Sequence, residues 1–359
     1  MRKPAFFILL SLPLLLQVSC SVQPLSVVMV DSGGLENRTA LKAPLNEPAY
    51  SNSIINKSRQ QGDTEQLTHC RVKYYPSRSN NLRSVVEGVL NDRTYPVILD
   101  TGASAAIFVN DVHIRENNLA FHPFKKNNGE IADWGMCDLQ GLRIGEMSLA
   151  GWPCYYQQRH AEARLFGLPI FKDKTIVVGL QVLRQFKYIE FDNLKREVYF
   201  SFDRKFQPGQ SDSWTQYPFV IEEHSQHNTA LLVDIPIAGE QAKLQLDTGN
   251  NGGLAVGTKL WSQLSKKMKD FKLFEDKDLY PYIGQFACRR GIIPKMEIGN
   301  RAVKNVKLSV FPDDSTIVEN SQGLMGMQCF QDTVIVIDFE KNTIWLKNTG
   351  YGKTDSAIL

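Results

Sequence analysis

Apolar residues in this chain fall in short runs, several alternating with polar positions, and the runs are bounded by Gly, Asn and Asp. That is the period of strands and the punctuation of turns, so the pattern predicts a β-rich chain with few helices. One segment departs from it. Leu260, Leu264, Met268 and Phe271 recur at helical spacing, which makes Lys266-Lys267-Met268-Lys269 the solvated face of a helix.

The runs come in two matched sets. Val97-Ile98-Leu99 leads into Asp100-Thr101-Gly102, and Leu244-Gln245-Leu246 leads into Asp247-Thr248-Gly249. Val85-Val86-Glu87 and Leu232-Val233-Asp234 precede them at equal distance. A glycine closes an apolar run 79 residues after each Asp, as Ile176-Val177-Val178-Gly179 and as Leu324-Met325-Gly326. The blocks that follow, Gly179-Leu180-Gln181-Val182-Leu183 and Gly326-Met327-Gln328-Cys329-Phe330, keep the offset of 147 that separates the two aspartates. Next come Tyr188–Asp192 and Val334–Asp338, each leading through a charged turn into Val198-Tyr199-Phe200 or Ile344-Trp345-Leu346. An Ile-Gly step, Ile144-Gly145 or Ile298-Gly299, occurs in each set at different spacing, so the halves differ there by insertions. A repeat of this length signals two copies of one unit.

The N-terminus reads as a targeting segment. Arg2 and Lys3 precede an apolar run from Ala5 to Leu16, too short to span a bilayer comfortably, which is the form of a secretory signal. Leu16-Gln17-Val18-Ser19-Cys20 resembles a bacterial lipobox of the looser spirochaetal type, with Cys20 as the lipidated residue; the other reading is an ordinary signal peptide. Residues 21–69 are rich in Ser, Asn, Gln and Pro, as a tether or a prosegment would be. The expected division is signal 1–20, tether or prosegment 21–69, first domain 70–206, linker 207–215, second domain 216–349 and tail 350–359. At 359 residues and 43% hydrophobic content the chain can fill two cores.

Composition narrows the chemistry. The net charge is +3 and the basic residues are dispersed, without a nucleic-acid footprint. Besides Cys20 there are Cys70, Cys137, Cys154, Cys288 and Cys329; export permits disulfides, an odd number leaves one thiol over, and no pairing follows from spacing. Six histidines are scattered, and His224 with His227 reads as a surface loop. There is no CxxC pair, no phosphate loop, and no His/Asp arrangement to activate Ser104, so neither metal nor cofactor is expected.

Asp100 and Asp247 are the acidic residues placed equivalently in both halves within a turn-forming tripeptide. Two carboxyls about 3 Å apart cannot both ionise and share one proton. The ionised one can take a proton from water while the protonated one polarises a carbonyl. The pair then titrates as a unit. Gly102 and Gly249 are expected to let the backbone turn tightly after each acid. Thr101 and Thr248 are β-branched residues in a turn, a choice that calls for a partner for the hydroxyl.

These loops resemble those of the retropepsin- and pepsin-like aspartic proteases, over roughly residues 80 to 348. The resemblance implies an all-β bilobal aspartic-protease fold, two tandem retropepsin-like β-barrel domains with a central cleft. It makes Asp100 and Asp247 the catalytic pair, Thr101 and Thr248 the threonines that lock the loops to each other, and Gly179 and Gly326 the glycines of the segment crossing beneath. Ala103 and Asn250 stand where pepsins carry Ser or Thr, which implies a less acidic working range and a likeness to the bacterial retropepsin-like group. No pepsin-type flap Tyr is evident. The flap candidates are Trp134-Gly135-Met136-Cys137 and Gln285-Phe286-Ala287-Cys288, with Cys137 and Cys288 either neighbours across the cleft or simply buried. The expectation is a monomeric, exported endopeptidase, periplasmic or lipid-anchored at Cys20, acting on peptide or protein without cofactor. The alternative is an inactive lipoprotein that binds peptide or a partner protein in the same cleft.

Overall fold

The computed structural model describes residues 25–31, 53–56, 69–75, 84–125, 130–166, 168–209, 213–225, 228–268, 271–280, 284–318 and 321–348. The signal segment, Cys20, His227, Lys269 and the tail lie outside them. The described chain is predominantly β, with short helices at Asp111–Asn117, Leu180–Leu183 and Thr258–Leu264.

Its two halves repeat one set of strand connections. In the first, Val85–Leu90 turns back antiparallel onto Arg93–Asp100, and Ile176–Gly179 returns parallel to that strand with Gly179 opposite Asp100. In the second, Asn228–Ile237 and Glu240–Asp247 form the same antiparallel pair, and Gly323–Gly326 runs parallel with Gly326 opposite Asp247. Each returning strand also pairs antiparallel with the strand after the Asp loop, Ile107–Asn110 or Leu254–Gly257.

The halves share a six-stranded antiparallel sheet. Its order is His69–Tyr75, Glu197–Ser201, Tyr188–Asp192, Val334–Asp338, Thr343–Lys347 and the start of Trp214–Ser225. Tyr188 pairs with Asp338 and Asp192 with Val334 at its centre, where the two copies meet. Just before the linker, Phe206 packs its ring on Tyr188, Trp214 and Trp345 of this sheet. Burying that side chain is worth roughly 1.5–3 kcal/mol. The second half opens at Trp214, so the last two residues of the expected linker are strand.

The apolar runs do what their period requires. In Glu240–Asp247 alternate residues Ala242, Leu244 and Leu246 are buried. In the first copy Val97, Ile98 and Leu99 are all buried, because Ile98 faces the floor of a cavity rather than solvent. The expected helix forms over Thr258–Leu264 and tightens through Ser265–Lys267, then ends as Met268 turns extended.

The stretch 21–69 is more than a tether. Leu25–Asp31 and Ser53–Asn56 are strands, paired with Arg159–Leu165 and Met147–Ala150 in the first half. The run Val27-Val28-Met29-Val30 has strand character, but its partner lies far along the chain, where no local pattern names it.

Equal offsets at the Asp loops and the glycine blocks conceal two compensating insertions. Ile107 pairs with Cys154 and Leu254 with Leu308 at equivalent points, yet the separations are 47 and 54 residues. From there to Gly179 and Gly326 the separations are 25 and 18. The second half thus carries seven more residues between Leu254 and Gly291, most of them in the connection 258–272, which carries the helix and precedes the hairpin Phe274–Tyr280/Gly284–Ile298. The first half carries seven more around the hairpin Arg159–Leu165/Leu168–Lys172. Both Ile-Gly steps are hairpin turns, with Gly145 at φ 55° and Gly299 at φ 63°.

Candidate active site

The two Asp-Thr-Gly loops meet across the interface between the halves. Thr101 Oγ1 donates to the Leu246 carbonyl at 2.7 Å and accepts from Thr248 N at 3.1 Å. Thr248 Oγ1 donates to the Leu99 carbonyl at 2.6 Å and accepts from Thr101 N at 3.0 Å. Both threonines are fully buried. Each hydroxyl thus satisfies a buried donor and acceptor of the opposite loop, which answers the demand for a partner raised by a β-branched residue in a turn. The four bonds fix one Asp relative to the other.

The carboxyls of Asp100 and Asp247 lie within hydrogen-bonding reach of each other and open onto a shared cavity. Gly102 N and Ala103 N donate to Asp100 Oδ1 at 2.8 and 3.2 Å, and Gly249 N donates to Asp100 as well. Asp247 Oδ1 accepts from Asn250 N at 2.9 Å, and Asp247 from Gly249 N. Burial raises the pKa of both carboxyls. For Asp247 the neighbouring Asp100 carboxylate adds to burial, and the pKa rises well above the ordinary carboxyl value. Three backbone donors around Asp100 favour its charged form. The stable arrangement is therefore one proton shared by the pair, which titrates as a unit.

Gly102 and Gly249 are needed for a different reason from the one their turns suggested. Neither adopts positive φ. A Cβ at Gly102 would stand 2.6 Å from Asp247 Cγ, and one at Gly249 would overlap Asp100 Cγ. Each glycine leaves room for the opposite carboxyl, so the dyad requires both.

The glycine blocks support the loops from below. Gly179 N donates to the Ala106 carbonyl and Leu180 N to Ala103, at 2.9 and 2.8 Å. In the second half Gly326 N donates to Gly253 and Met327 N to Asn250, both at 2.8 Å. A Cβ at Gly179 would lie 2.6 Å from the Ala103 carbonyl oxygen, and one at Gly326 would lie 2.9 Å from that of Asn250. Close approach of the crossing strand is what only glycine permits. The hydroxyl of Ser104 is held by Thr229, and the Asn250 side chain accepts from Gly252 N, so both are committed away from the carboxyls.

A cavity of about 500 Å³ opens above the pair. Ile98, Phe108 and Val177 line it from the first half, while Asp278, Tyr280 and Arg290 line it from the second. The last three lie on the hairpin Phe274–Tyr280/Gly284–Ile298. Tyr280 packs edge-on against Phe286 and Phe311, and its pKa is pushed up by burial and by the carboxylates of Asp278 and Asp247. Asp278 accepts from Ser309 Oγ at 2.9 Å, and Arg290 donates to Asp276 at 3.2 Å. Of the two flap candidates, Gln285–Cys288 thus belongs to the hairpin over the cavity. No described residue between Phe121 and Cys137 lines it. The tyrosine itself went unrecognised in the sequence.

Cys137 and Cys288 are not neighbours. Cys137 faces Cys154 across paired strands, Sγ to Sγ 3.2 Å, with both thiols free. Cys288 packs with Phe311, Ile317 and Leu324. Burial pushes the thiols of Cys288 and Cys329 up to about 11 and about 12, and that of Cys154 well above its ordinary value, which leaves all three inert.

No family model and no curated protein matches the chain. Among solved structures, a chain described as "Crystal structure of edgp" matches with a TM-score of 0.44 at 9% identity, over 79% of this chain and 95% of that one, a likeness too distant to bear on function.

Proposed function

We propose that the chain is an aspartic endopeptidase, with the bilobal fold of two tandem retropepsin-like barrels, and that Asp100 and Asp247 hydrolyse a peptide bond in the cavity between them. The observation that carries this reading is the reciprocal lock. Four buried hydrogen bonds and two obligatory glycines hold a pair of carboxyls together, at a cost in desolvation and repulsion that a structural role would not require. The ionised Asp100 takes a proton from a water between the carboxyls, and that water attacks the scissile carbonyl. Asp247 gives its proton to the developing oxyanion, forming a gem-diol. The proton taken from water then passes to the leaving nitrogen as the C–N bond breaks, and a gem-diol hydroxyl returns its proton to Asp247 as the carboxylic acid forms. Neither water activation nor oxyanion stabilisation calls on a metal or cofactor.

Ser104 is bonded to Thr229, and Ala103 and Asn250 bring no hydroxyl to the carboxyls. This supports a working range less acidic than that of an enzyme whose dyad is bonded to such hydroxyls. The protein is proposed to act as an exported monomer, periplasmic or held by lipid on Cys20, because one chain supplies both aspartates. A peptide library screened from about pH 3 to 8, the span over which such a pair titrates, tests the reading. Cleavage blocked by a statine-type mimic and abolished in Asp100→Asn and Asp247→Asn is expected. Full activity in either variant would sink the shared-dyad mechanism. Peptide binding without cleavage at any pH would favour the inactive binder.

A further inference from the structure

The hairpin Arg159–Leu165/Leu168–Lys172 lies in the segment where the first half is seven residues longer than the second, and the residues flanking its turn are apolar. Leu165 is 39% exposed, Phe166 71% and Leu168 70%. Phe166 has φ of 50°, which is strained for a bulky side chain. Strain that holds an aromatic ring out in water contributes nothing to the core, and such positions cluster at functional surfaces.

A second observation says what covers the tip. The strand Leu25–Asp31 runs antiparallel along this hairpin with Leu25 opposite Leu165. The chain therefore enters the fold at the tip. Cys20 precedes Leu25 by five residues, a reach of at most roughly 18 Å. The apolar run Ala5–Leu16 ends just before it. A lipid on Cys20 would hold the chain at a bilayer within that reach of Leu25, and so of the tip.

We propose that this tip is a bilayer-docking element, which inserts Phe166 and Leu168 into the lipid surface next to the chain's own N-terminal attachment. A single anchor holds a protein near a membrane without orienting it; a second apolar contact fixes which face looks at the lipid. The returning strand leads directly to Asp173 on the cavity wall. Docking thus keeps the cavity close to the surface, about 17 Å along the strand from Leu168. The inference rests on the membrane-directed reading of residues 1–20 and not on proteolysis.

The test labels the full chain with an environment-sensitive fluorophore at Phe166→Cys, and separately at Leu168→Cys, in phosphatidylcholine/phosphatidylglycerol vesicles. The five described native cysteines are buried, so the label goes to the new thiol, with Cys20→Ser as a parallel background. Brominated acyl chains should remove at least about half of the emission at either position, as expected for insertion of 5–10 Å. A label at Leu194→Cys, on an exposed charged turn, should be unaffected. Equal, water-like emission at positions 166, 168 and 194 in a vesicle-bound chain overturns the proposal. So does emission that shifts with protein concentration in detergent without lipid, since the tip would then be burying itself in a second copy. Mass measurement of the N-terminus shows separately whether Cys20 is lipidated, so failure of that reading is distinguishable from failure of docking.

Discussion

Replacing Thr101 by Val keeps the β-branched shape and removes the hydroxyl. Two main-chain groups then lose their partner, the Leu246 carbonyl and the Thr248 N–H, in a place where Thr101 and Thr248 are wholly shielded from water. Leaving a buried polar group unsatisfied costs about 1–3 kcal/mol, so the expected loss is roughly 2–6 kcal/mol. That is a large part of the roughly 5–15 kcal/mol available to a folded domain. Guanidinium denaturation at neutral pH should show a lower midpoint with an unchanged slope. Thr101→Ser keeps the hydroxyl and should retain most of the stability. The paired variant Thr248→Val removes the other two bonds. The double variant should depart from additivity by about 0.5–3 kcal/mol, because each hydroxyl grips the other's loop. Turnover by Thr101→Val should fall by at least about tenfold through displacement of the carboxyls. A loss under about 0.5 kcal/mol, the range of ordinary surface substitutions, would refute the claim that these hydroxyls hold the two loops in place.

Two further outcomes follow from the carboxyl pair. Gly249→Ala places a Cβ against Asp100 Cγ, so peptide cleavage should be lost while far-UV circular dichroism stays native; retained cleavage would mean that the loops separate freely. Asp247 has its pKa raised in the fold by burial and by Asp100, so the folded chain binds more protons than the unfolded one above the ordinary value of 3.8. The stability tied to this group is present below that value and is lost as pH rises through the raised one. Asp247→Asn should therefore melt at a higher temperature than the parent near pH 7 and at a similar one near pH 3, and thermal scans giving the reverse order would contradict the raised titration of the pair.

The sequence by itself determined the parts that depend on local pattern. Strand periodicity, the doubled Asp-Thr-Gly and the matched glycines were legible because each is a short-range requirement. An apolar strand must end in a turn, and an acid at that turn must have room beside it. The β-rich architecture and the pairing of Gly179 with Asp100 and Gly326 with Asp247 follow the offsets read along the chain. What only the tertiary structure decided involves partners that no period encodes. The role of Gly102 and Gly249 is one case, since the constraint comes from the carboxyl of the opposite half and not from their own φ. Tyr280 is another, brought to the cavity wall by a hairpin whose packing over the pair no local pattern encodes. The facing thiols of Cys137 and Cys154, and the strand Leu25–Asp31 laid along a distant hairpin, are of the same kind. The physical reason is common to them: a side chain's own neighbours along the chain fix its local conformation, whereas contacts between remote segments are chosen by how whole strands pack once the two halves have closed on each other.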